Sequence, residues 1–177
     1  MRPTNSEFAP FYAGYVSLVP EPQVLPILEH QPVEIADLFG SVPAARETFR
    51  YEPGKWSIRE MLRHIVDAER VFGFRAFCFS RGEQQALPGF DQDVYIANGA
   101  AHSRQLRELI DEFTLVRTGN LRVLNVLSDE DWARTGTASG HPVSVRGLGY
   151  IMAGHVRHHC KMLRERYFSD PQVRTRN

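Results

Sequence analysis

Gly154-His155-Val156-Arg157-His158-His159 lies inside an apolar-periodic run that begins near Val143 and ends near Phe168. Within it Leu148, Ile151, Met152, His155, His159, Met162 and Leu163 recur by threes and fours, the spacing of one buried helical seam. Two imidazoles four residues apart project from the same face, one turn apart, so His155 and His159 can reach a single ion together. Buried side by side without a shared partner, they would strand donors and acceptors at about 1–3 kcal/mol each. A third ligand must come from another segment. His64 sits at the border of an equally periodic stretch, and a helix packed beside the first can deliver it from the bundle interior.

Working outward, the stretch Tyr51-Glu52-Pro53-Gly54-Lys55-Trp56-Ser57-Ile58-Arg59-Glu60 supplies a turn and then Ser-x-x-Glu, in which Ser57 and Glu60 answer each other's backbone amides. A second helix therefore starts at Ser57, with Ile58, Met61, Leu62, Ile65, Ala68, Phe72 and Phe79 on its apolar face. Gly82 and Pro88-Gly89 close it into a loop. Upstream, Val24 to Phe39 has helical spacing disturbed by Pro26 and Pro32, and Pro32 marks either a kink or the start of a separate segment. Downstream, a long third helix is expected from about Val94 to Leu127, bending at Gly99 or Gly119. Residues 128–142 read as a connecting loop in which Ser128 caps a short turn through Asp131. No run alternates as a half-buried strand does, so the expected fold is all-α, four helices around one core.

Residues 1–22 carry Phe8, Phe11, Tyr12 and Tyr15 among prolines, too aromatic for a disordered tail and too interrupted for a regular element. They read as an arm packed across the domain or onto a second subunit. The expected organisation is an arm over 1–22, a bundle over 23–168 and a tail over 169–177.

The chain has 177 residues, enough for one sizeable core, with 21 Lys plus Arg against 21 Asp plus Glu. That balance provides no field for phosphate backbones or anionic lipids, so nucleic acid and membrane are not expected partners. Cys78 and Cys160 lack any paired framework and read as reduced thiols, pointing to the cytoplasm. No export signal or membrane-spanning run is apparent.

Other polar residues interrupt the apolar faces. Glu69 on the second helix and Arg117 on the third would both be buried, and an isolated buried charge is prohibitively costly, so they are expected to pair as a structural clamp. Asp67, one turn from His64, can fix the tautomer of that ring. His158 points to the flank of the seam and takes a supporting or rim position. His30, His102 and His141 share no face with the others and read as surface residues. Three neutral imidazoles leave a divalent ion with positions open for water or substrate, as in a catalytic site. Zinc or nickel suits such a set first, then iron.

The motifs Tyr51-x-Pro53-Gly54-Lys55-Trp56-Ser57-Ile58, His64 followed by Asp67-Ala68-Glu69-Arg70, the Leu87-Pro88-Gly89-Phe90-Asp91 loop and Gly154-His155-Val156-Arg157-His158-His159 together resemble the DinB/YfiT-like superfamily. The resemblance runs from about Val24 to Tyr167. It implies an up-down-down-up four-helix bundle in which three histidines, matching His64, His155 and His159, bind a divalent metal. It implies enzymes of several kinds, among them metal-dependent hydrolases, thiol-dependent S-transferases and a thiol-dependent isomerase, and a homodimer is common. The expected activity is a metal-dependent thiol S-transferase on a small-molecule substrate. No Ser-His-Asp or Cys-His constellation is present, and an open metal position can take a low-molecular-weight thiol. A metal-dependent hydrolase and a non-catalytic metal-binding protein are the alternatives, and the general base is not identified.

Overall fold

A computed structural model describes residues 2–99 and 104–170. Four long helices form the bundle: α2 (Leu25–Gly40), α3 (Ile58–Ser80), α5 (Leu106–Leu124) and α7 (Val145–Met162), the last continued by a π-helical turn over Leu163–Tyr167. Around the bundle, α3 and α2 each pack against both α5 and α7, which sets α2 diagonal to α3 and α5 diagonal to α7. Helix α2 continues unbroken past Pro32, with Pro26 in the first turn where no amide partner is lost.

Helix α3 begins where its capping box dictates. Ser57 Oγ accepts from the Glu60 amide, and the Glu60 carboxylate accepts from the Ser57 amide at 2.7 Å. Gly54, at φ +79°, makes the turn that an L side chain would strain, and the turn swings Trp56 back over the start of α3. The α7 turn Leu163–Tyr167 holds that loop from the other side, because the Tyr167 hydroxyl donates to the Trp56 carbonyl at 2.7 Å.

Three expectations are corrected. The single third helix over 94–127 is two, α4 (Gln92–Asn98) and α5. Asp91 caps α4, Gly99 ends it in extended backbone, and Gln105 with Glu108 starts α5 afresh. The connecting loop over 128–142 contains α6 (Asp129–Ala133), capped by Ser128 as its spacing with Asp131 allows, and an antiparallel hairpin. The hairpin pairs β1 (Thr135–Ala138) with β2 (His141–Ser144), so the chain is mostly helical rather than all-α. The arm is also more regular than expected: two single 3-10 turns lead into α1 (Ala13–Ser17).

The arm lies along α7. Arg157 forms two hydrogen bonds to the Glu21 carboxylate, at 2.8 and 2.7 Å, and one to the Leu18 carbonyl. Glu7 accepts from Ser144 and Arg146 at the other end. Gly154 makes the crossing possible: a Cβ there would stand 2.0 Å from the Tyr15 carbonyl oxygen.

Two apolar clusters fill the interior, one around Leu28, Phe72, Phe79 and Ile151, the other around Ile35, Ile65, Phe113 and Val156. Along every bundle helix a buried polar residue stands at or next to the change from one cluster to the other: Gln31 on α2, Asp67 and Glu69 on α3, Arg117 on α5 and His155 on α7. The molecule therefore carries a buried polar layer across its middle.

Candidate metal centre

Half of that layer is the ion pair. Arg117 is fully buried, its Nε and Nη2 donating to the two Glu69 oxygens at 2.7 and 2.8 Å. Its Nη1 reaches the Leu28 carbonyl and Gln31 Oε1, while Gln31 Nε2 donates to the Ala153 carbonyl at 2.8 Å. Asn120 adds a further donor to Glu69. The network thus ties all four bundle helices together and grips α7 two residues before His155.

The other half is the histidine cluster. His64 on α3 and His155 and His159 on α7 are all buried, and their ligand atoms lie within 4.8 Å of one another. His64 Nε2 and His159 Nε2 stand 2.9 and 3.1 Å from His155 Nε2. One ring nitrogen carries either a proton or a lone pair, so His155 Nε2 serves one neighbour well and not two. Hydrogen bonds alone therefore leave the group frustrated. Two nitrogens on a tetrahedral zinc at roughly 2.05 Å sit about 3.3 Å apart, within a few tenths of an ångström of both observed separations. Burial pushes the His64 pKa down to about 4, with the His158 charge adding to it. Burial likewise holds His155 and His159 well below the usual histidine value, reinforced by the neighbouring imidazoles. All three are neutral near pH 7, the form that binds metal. His159 Nδ1 is buried without a hydrogen-bond partner among the described residues. The donor set fits a divalent cation.

Aromatic rings enclose the cluster. The Trp56 ring centre lies 4.7 Å from that of His64, Phe72 lies edge-on to His155, and Tyr15 of the arm stands edge-on to both His155 and His158 at 5.3 and 5.2 Å. His159 opens on a cavity of about 370 Å³ shared with Tyr15, Tyr51, Trp56, Asp93 and His158. A larger outer chamber of about 710 Å³ adjoins it through Tyr15, Tyr51, Lys55 and His158.

His158 is half-buried at the rim of both chambers, and burial lowers its pKa. Asp67 does not turn to His64: it pairs with Arg63 at 2.9 Å, one helical turn back, where the guanidinium offers a stronger partner than a neutral imidazole. His30 is exposed on α2, His141 is exposed at the start of β2, and His102 lies outside the described residues. Cys160 is fully buried, and its thiol pKa is pushed up to about 12 by burial. Tyr15 and Asp93 border the site without having been singled out from sequence.

A sequence model of the DinB superfamily matches residues 27–163. The chain belongs to the DinB superfamily. Among solved structures, YfiT from Bacillus subtilis, described as a probable metal-dependent hydrolase with an unusual four-helix bundle topology, superposes with a TM-score of 0.76. It is 13% identical, over 96% of this chain and 93% of that one. A mycothiol-dependent maleylpyruvate isomerase superposes with a TM-score of 0.63 at 13% identity, over 78% of this chain and 58% of its own. At such identity these likenesses establish the fold. No curated protein matches the sequence. No helix among the described residues is long and apolar enough to cross a membrane.

Proposed function

We propose that this DinB-superfamily protein is a divalent-metal-dependent enzyme acting on small molecules, with His64, His155 and His159 as the ligands and zinc or nickel, then iron, as the ion. The observation that carries the reading is the convergence of two Nε2 atoms on a third at 2.9 and 3.1 Å, in a buried group that hydrogen bonds cannot satisfy. A bound divalent ion supplies Lewis acidity and lowers the pKa of a thiol or water that it takes up.

The chain's own residues then favour thiol transfer. Three uncharged imidazoles add no negative charge, so the site retains its full attraction for an anionic ligand such as a thiolate. Trp56, Phe72 and Tyr15 place apolar rings against the ligand imidazoles. No cysteine among the described residues lines the cavity, and Cys160, next to His159, is sealed in the core. A diffusible thiol then provides the sulfur: it forms the new carbon–sulfur bond and its proton passes to water, while an alkyl halide releases halide with the electrons of the broken bond, or an epoxide oxygen keeps them and takes up a proton as the ring opens. Hydrolysis is the second reading, favoured by Asp93, an exposed carboxylate on the cavity that contains His159 and a candidate base for water.

Protein loaded with zinc or nickel and offered epoxide and alkyl halide electrophiles, with and without cellular thiols, separates the two. Turnover that requires both thiol and metal is expected. Turnover without thiol assigns hydrolysis, and protein that holds no metal removes both.

A further inference from the structure

The family match begins at residue 27, yet the arm before it reaches the histidine cluster. The geometry points to Tyr15 as a ligand-contacting residue of the proposed metal site: its hydroxyl donates a hydrogen bond to the small molecule that occupies the cavity beside His159. The inference rests on the metal-site reading.

The two fully buried tyrosines among the described residues spend their hydroxyls on the chain, Tyr150 on the Glu21 carbonyl at 2.9 Å and Tyr167 on the Trp56 carbonyl at 2.7 Å. This is the usual fate of a phenol taken out of bulk water. The Tyr15 hydroxyl makes no hydrogen bond among the described residues. Nor is it sealed in protein, for Tyr15 lines both the inner cavity and the outer chamber, and its oxygen is not among the fully enclosed unpartnered atoms. Its ring is held edge-on to His155 and His158, beside the ligand cluster and on the same cavity as His159.

The arm is built to hold it there. The Tyr15 carbonyl occupies the place where a Cβ on residue 154 would be, one residue before His155. Three residues further on, the Leu18 carbonyl accepts from Arg157, and Glu21 completes the clasp. The arm backbone and α7 are thus in register at the site, which fixes where the Tyr15 side chain starts. A donor fixed in advance beside an open ligand position strengthens binding at little entropic cost.

The test uses the full chain loaded with cobalt(II), whose visible spectrum reports ligand exchange, and azide as a small anionic probe. Tyr15→Phe is expected to keep cobalt content and thermal midpoint while binding azide about tenfold more weakly, the loss of one hydrogen bond. Equal azide affinity in wild type and Tyr15→Phe overturns the assignment while leaving the metal site standing. Loss of cobalt from Tyr15→Phe overturns it too, by making the hydroxyl structural. Wild-type protein that takes up no cobalt removes the metal reading itself.

Discussion

Helix α3 carries two buried polar centres five residues apart, His64 and Glu69, and they are built on opposite principles. Around Glu69 every strong donor and acceptor is answered: both carboxylate oxygens face Arg117, and the remaining guanidinium nitrogen is spent on Leu28 and Gln31. Around His64 three imidazoles face one another, a single nitrogen is approached from two sides, and His159 Nδ1 has no partner among the described residues. A saturated group is a fastening. A group that its own protein cannot saturate, yet which is held rigidly by the saturated one next door, is suited to receive something from outside.

Removing the fastening should give the largest effect. Arg117→Ala leaves the buried Glu69 carboxylate with Asn120 in place of a counter-charge and strands the Leu28 carbonyl and Gln31 Oε1, and is expected to cost about 3–5 kcal/mol in urea unfolding. Arg117→Met strands the same groups but fills the volume, and should be the milder of the two. Negligible and equal effects would mean that the pair is no clamp. At the receptor the corresponding change should act on the ion more than on the fold. His155→Ala removes the nitrogen shared by the other two and should weaken metal binding at least about a hundredfold, roughly 2.7 kcal/mol. A chelator should then lower the thermal midpoint of metal-loaded wild type and leave that of the variant unmoved. If chelator shifts both alike, the ion sits elsewhere.

The two centres were also unequally legible in the sequence. Glu69 and Arg117 announced themselves as charges on apolar faces, and His155 and His159 by their four-residue spacing, because helical periodicity converts directly into direction. Asp67 shows where that reasoning stops: its spacing allowed it to reach His64, but Arg63, next to His64 and likewise one turn back, carries a full charge. The hairpin was missed because four residues per strand are too few to display alternation. Its one clear sign was Ser139-Gly140, both at positive φ, the two-residue turn that suits a tight hairpin. The third helix was read too long because Gln105 and Glu108 make a capping box whose first member is not one of the strong N-cap residues. Tyr15 and Asp93 reach the site from the arm and from α4, and no local pattern encodes a contact between segments so far apart.

Acid sharpens the contrast further and should give the smallest of the three effects per group. In the metal-free protein the folded-state pKa of His64 is about 4 against 6.5 for the free side chain, because burial disfavours its charged form. Between those values the unfolded chain binds a proton that the folded chain refuses. The stability associated with His64 is therefore fully present above pH 6.5, declines as the pH falls and is lost by about pH 4. At pH 5 the loss from this one residue is on the order of 2 kcal/mol. His155 and His159 are shifted in the same direction and add to the slope. Urea unfolding of metal-free protein at pH 7, 6 and 5 should thus show a steady fall, shallower in His64→Ala by the share of one proton. A flat profile would mean that the imidazoles are already hydrated in the folded protein, and the unsatisfied centre would then be no different from an ordinary polar surface.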